Sequence, residues 1–274
     1  MTKEAKPTEY QANLEAMRTM IVVMSGDKAY TVQRDDRLST ASCNMTEKKI
    51  MLTTQLIPKG LPQWKAERLL DGVCAHEGGH IVVTAPYADA KMRWIKMQPY
   101  PFLAQHVDNI LEDLRDNFYV ENRYRFDFGQ RLKSFMDITT PSMLEYAGKL
   151  PLAKKRLEKC VVILDILTLS GIDLTGQLDS VAADAVKKAD AFLKAAKFKK
   201  VTRDLIKASD DAYHEMEKLV VRPEKSKRPR IRVDVDVGKQ TLSGDHSKDV
   251  PEEEEDDEPL ESVAEGVLRE LEAM

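Results

Sequence analysis

Hydrophobic and polar positions recur with two different periods along this chain, and the changes of period divide it into elements. Residues 8–24 place Leu14, Met17, Ile21 and Met24 at steps of three and four, which predicts an amphipathic helix. The SGD at 25–27 ends it. "AYTVQR" and "KKIMLTTQLI" are rich in β-formers and read as strands, and "PKGLP" breaks the second. A helix follows from about Gln63 to Thr84. "APYADAKMRWIKMQPYP", with a proline near each end, reads as a loop. Leu103, Val107, Ile110, Leu111, Leu114 and Phe118 then restore the helical period from Phe102 to about Tyr124.

Beyond residue 130 the pattern is helical throughout, with helices near 131–147, 152–170, 177–195 and 200–220. At Arg222 the composition changes to a stretch rich in charge, Pro and Gly that has too few core formers to fold. The last residues recover a helical stripe in Leu260, Val263, Ala264, Val267, Leu268 and Leu271. The expected fold class is α+β and predominantly helical, a small sheet beside a long helix. Residues 1–125 form the expected core, 126–221 a helical extension packed on it, 222–259 a disordered charged linker, and 260–274 a short amphipathic helix. That helix is too short to be stable alone, so it is expected to dock on the body or on a protein partner.

Composition narrows the setting. Of 274 residues, 42% are hydrophobic and 32% charged, enough for a core and a solvated surface. No apolar run approaches the ~20 residues of a membrane span, and no apolar segment follows a basic start. Cys43, Cys74 and Cys160 are irregularly spaced and make no disulfide framework. A cytoplasmic protein without a membrane partner is expected. The seven acids of residues 252–258 account for more than the whole formal charge of −4, so the rest is slightly basic. The short cluster of Lys225, Lys227, Arg228, Arg230 and Arg232 has no interleaved aromatics; it reads as a solvated linker, and no nucleic-acid partner is expected.

The chemistry concentrates in "GVCAHEGGHIVVT", residues 72–84, which holds two of the five histidines. On a helix His76 and His80 share one face, one turn apart, and can present ring nitrogens to one point. Glu77 stands one step around, within reach of a water at that point. This is the H-E-x-x-H arrangement of zinc peptidases, in which neutral imidazoles bind Zn²⁺ and the glutamate is the general base. Gly78 and Gly79 each cost about 1 kcal/mol inside a helix. The compensation expected is close approach of another element, the helix that brings the third ligand.

A histidine ten residues after His76 would complete one extended pattern, but that position is Pro86. The candidate ligand is Glu112 in "HVDNILEDLRDNFYVENRYR", with the neighbouring Asp113 as its rival, pointing about 100° away. Asp108 and Asp116, one turn to either side, share the face of Glu112. Asp116 is expected to orient a histidine N–H, and Tyr119 to donate to an oxyanion. His106 and His214 read as packed or surface histidines, and the three cysteines as core.

"AHEGGHIVVT" followed by "NILEDLRD" resembles the gluzincin-type metallopeptidase-like domains found beside von Willebrand factor A modules, including relatives of the cobaltochelatase subunit. Asn109, Glu112, Asp113 and Arg115 match the second motif of that family, N-x-x-E-D-x-R. "STASCNMTEKKIMLT" resembles the strand before the active helix, along whose edge an extended substrate adds. The resemblance covers roughly residues 30–125. It implies a zincin-like fold, one Zn²⁺, a protein or peptide substrate and an AAA+ ATPase partner. The "DHSKD" at 245–249 departs from the von Willebrand motif D-x-S-x-S, and too little chain follows it to form that domain. The expected activity is zinc-dependent peptide hydrolysis; the alternative is an inactive zincin-like structural or interaction module.

Overall fold

A computed structural model describes residues 13–38 and 40–220. The charged linker at 222–259, its acidic run and the terminal helix expected at 260–274 lie outside the described residues. Within them the chain is mostly helical with one three-stranded sheet: α1 (Leu14–Ser25), β1 (Thr31–Arg34), β2 (Ser42–Asn44), β3 (Lys49–Leu52), α2 (Gln63–Val83), α3 (Ala88–Met97), α4 (Pro101–Arg123), α5 (Phe128–Lys149), α6 (Arg156–Ser170), α7 (Ser180–Ala196) and α8 (Thr202–Glu217).

Asn13 caps α1 by accepting from the Ala16 N–H, and Gly26 closes it in the left-handed conformation at φ 70°. Strand β3 is central, parallel to β1 and antiparallel to β2; Ile50 aligns with both Val32 and Cys43. The buried positions Ile50 and Leu52 belong to the hydrophobic cluster that α1 and α2 also enter, with β3 against α2 and β1 against α1. The stretch that resembles a single strand, residues 39–53, holds two antiparallel strands, β2 and β3, joined by a turn at 45–48; the three residues of β2 are too few for an alternation to show.

The stretch expected to be a loop, residues 85–101, holds α3. Its prolines bracket helices instead of breaking one: Pro86 lies in a short 3₁₀ turn before α3, and Pro101 is the first residue of α4. Lys91, Trp94 and Ile95 are the buried face of α3.

Helix α2 is the hub. It touches α1, α4, α5 and strands β2 and β3, which explains why its hydrophobic residues are spread around it instead of forming one stripe. Three glycines make this possible, each under a different neighbour. A Cβ on Gly72 would lie 2.5 Å from the Arg131 carbonyl oxygen of α5; on Gly78, 2.8 Å from Met24 Sδ of α1; on Gly79, 3.0 Å from Asp116 Cβ of α4. Gly79 therefore makes the close approach expected for the helix with the third ligand, while Gly78 serves α1.

Helix α4 links two hydrophobic clusters. Its first part, through Leu111, packs with α3, α6, α7 and α8, whereas Val120 packs with α1, α2 and the sheet. Asp113 to Asn117 lie at the passage between them. No helix among the described residues is long and apolar enough to cross a membrane.

Candidate metal centre

Among the described residues, the three side chains that could jointly hold a metal are His76 and His80 from α2 and Asp113 from α4. The two Nε2 atoms are 3.3 Å apart, and each stands 3.5 Å from Asp113 Oδ1. The triangle is nearly equilateral. Ligand atoms about 2.0–2.1 Å from a tetrahedral Zn²⁺ are separated by roughly 3.3–3.4 Å, so these residues fit that ion. Two imidazoles and one carboxylate are also a suitable donor set for it.

The other ring nitrogens are held from behind. His76 Nδ1 lies 2.9 Å from Asn117 Oδ1 and donates to it, which leaves Nε2 as the lone-pair nitrogen. His80 Nδ1 pairs with the fully buried Asp116, whose carboxylate also accepts from Thr84 Oγ1 at 3.3 Å. Burial disfavours the charged His80 ring, but Asp116, Asp113 and Glu77 outweigh it and push its pKa up to about 10. A metal arriving at this site at neutral pH displaces a proton.

Glu77 is almost fully buried and makes no hydrogen bond or ion pair among the described residues. Burial pushes its carboxyl above the usual range, the neighbouring imidazoles opposing this. A carboxylate so placed is free to take and return a proton. It borders a cleft of about 270 Å³ together with His76, Asp113 and Asn117.

Several expected roles fall elsewhere. Glu112, the expected ligand, forms a buried ion pair with Lys91 of α3 and is not among the converging ligand atoms. The same ammonium lies 3.4 Å from Asp108 Oδ2 and donates to Asn109 Oδ1 at 3.2 Å, so Asn109 belongs to this ion cluster. Asp108 also accepts from Ser209 Oγ at 2.5 Å. The physical reason is the 100° step along α4: the face of Glu112 and Asp108 meets α3 and α8, and that of Asp113 and Asn117 meets α2. Asp116 stands where an orienting carboxylate was expected. Tyr119 packs on Tyr124 and lines a groove with Val82 and Phe118 on another side of α4, away from the cleft.

Sequence reasoning missed Asn117, Thr84, Lys91 and Asp165. Asn117 had a signal, being one turn from Asp113 on the same face. Asp165 had one too: it is the single charge in "VVILDILTL" and it lines the same cleft from α6. Lys91 had none, because its stretch reads as a loop.

Comparison with protein-family models finds no match, and comparisons with curated proteins and with solved structures find none either. What the centre does is inferred from its own geometry.

Proposed function

We propose that this chain is a zinc-dependent peptidase with an H-E-x-x-H centre in a zincin-like core, in which His76, His80 and Asp113, the last in place of the glutamate that defines gluzincins, are the protein ligands. The observation that carries the reading is the convergence of three ligand atoms at near-tetrahedral spacing, with both Nδ1 atoms engaged behind them. Bound there, zinc supplies a Lewis acid that acidifies water and polarises a carbonyl. Glu77 accepts a proton from water in the cleft on its carboxylate and returns it to the leaving amine. Asn117 and Asp116 hold the two rings in orientation, and burial raises the proton affinity of Glu77 above that of an exposed carboxylate. The same donor set holds Fe(II) in oxygenases; the buried, untethered Glu77 next to two ligands favours hydrolysis.

Metal analysis of the purified protein tests the centre. About one zinc per chain is expected, lost in Asp113→Ala and kept in Glu112→Gln. One iron in its place would refute the zinc assignment. Activity is tested by mass-spectrometric detection of cleavage in a mixed peptide library. Glu77→Gln should keep the metal and abolish cleavage. Zinc with no cleavage by the unaltered protein would favour a structural or protein-interaction module built on the same centre.

A further inference from the structure

The cleft beside the metal centre has a built feature that the hydrolytic reading leaves unused. Its apolar walls come from Leu56, Val73, Phe135, Met136, Met143 and Leu169. Its titratable groups are His76 and three carboxylates, Glu77, Asp113 and Asp165, with no lysine or arginine in the lining. Glu77 and Asp113 belong to the centre. Asp165 does not, because its oxygens fall outside the converging ligand set. It sits in α6 as the single charge of the run VVILDILTL, residues 161–169. Its Oδ1 is sealed from solvent and has no hydrogen-bond partner, and no ion pair engages the residue among the described residues.

Asp165 is half-buried, and a carboxylate with one oxygen sealed against apolar walls and no partner there is unfavourable for the fold by itself. Among the described residues outside the metal centre, buried carboxylates are answered by a cation or a hydroxyl through at least one oxygen, as Glu112 is by Lys91 and Asp108 by Ser209. Asp165 has no such answer within the described chain, and it lines the cleft that His76 and Asp113 also border. We infer that Asp165 makes this cleft a subsite for a cationic substrate group, a protonated amine or guanidinium whose apolar stem lies along the walls. Burial raises the Asp165 carboxyl, with Asp113 adding to the effect, and an entering cation reverses that shift. The volume of about 270 Å³ suits one side chain or one chain terminus. The cation has two possible sources, a lysine or arginine side chain or a free amino terminus, and one chemistry serves both.

The inference rests on the proposed site, but binding can be measured without turnover. The probes are Nα-acetyl-lysinamide for the side chain, leucinamide for the amino terminus and Nα-acetyl-norleucinamide as the neutral control. Each is titrated calorimetrically into full-length protein, metal-stripped and zinc-loaded, and into Asp165→Asn. At least one cationic probe should bind about ten-fold more tightly than the neutral control, and the ratio should fall below about two in Asp165→Asn. The cation preferred identifies its source. Equal binding of charged and neutral probes, or a preference that survives in Asp165→Asn, overturns the inference. So does loss of zinc from Asp165→Asn, which would make Asp165 a ligand. A cation preference without any peptide cleavage would sink the peptidase reading and leave the subsite standing; cleavage without cation preference would do the reverse.

Discussion

Replacing Asp165 by Asn should make the protein more stable, and by an amount that grows with pH. The Asp165 carboxyl is pushed from its ordinary 3.8 up to about 7, chiefly by burial and secondarily by Asp113. Between those two values the unfolded chain has lost this proton while the folded chain still holds it. Folding stability therefore declines as pH rises through that window and levels off above about 7. Two-state linkage puts the cost to the unaltered protein at about 1.5 kcal/mol at pH 5 and about 4 kcal/mol at pH 8. Asparagine has the shape of the protonated acid and no charge to bury. Urea unfolding of both proteins, stripped of metal, at pH 5 and at pH 8 gives the difference directly, since titrating groups that do not interact with Asp165 cancel in the comparison. The gain from Asp165→Asn should be roughly 2–3 kcal/mol larger at pH 8. A gain independent of pH, or a loss at pH 8, would refute the claim that this carboxylate is buried without a partner.

Other consequences follow from the packing. Lys91→Ala leaves Glu112 and Asp108 buried without their ammonium and should cost about 3–5 kcal/mol in denaturant unfolding; a loss under 1 kcal/mol would show that the cluster is open to water. Gly72→Ala drives a methyl into the backbone of α5, which cannot move aside as a side-chain end can, and should cost about 1–3 kcal/mol. A neutral outcome in the same assay would mean that α5 can shift. Asn117→Ala removes the acceptor behind His76 and should weaken zinc binding about 10–100-fold in a chelator competition; unchanged affinity would mean that the ring is oriented by packing on Phe135 instead.

The helices and the two histidines were legible because helical periodicity is local: a motif on α2 can be read without knowing what α2 touches. The partner helix was legible too, and both Glu112 and Asp113 stood out as candidates. What one strand of text cannot give is the rotation of α4 about its axis, which decides which of two adjacent acids meets the imidazoles. That rotation is set by α3 and Lys91 on one side and by Gly79 on the other. Helix α3 was hidden because its flanking prolines look like breakers in sequence and act as helix starts in space. Tyr119 was misplaced for the same reason as Glu112, since its angle on α4 was unknown.

The three glycines of α2 place a condition on any chain that would share this site. His76, Glu77 and His80 fall within five consecutive positions, a pattern that many unrelated helices can spell. The cleft, however, exists only because α5 can reach Gly72 and α4 can reach Gly79. A helix with the same H-E-x-x-H letters but a bulky residue at either place would hold Asp113 and Phe135 at a distance. The discriminating signature is therefore the spacing from Gly72 to Gly79 read together with Asp113, Asp116 and Asn117. In a protein lacking the glycines, the histidine motif would be spelling without a pocket.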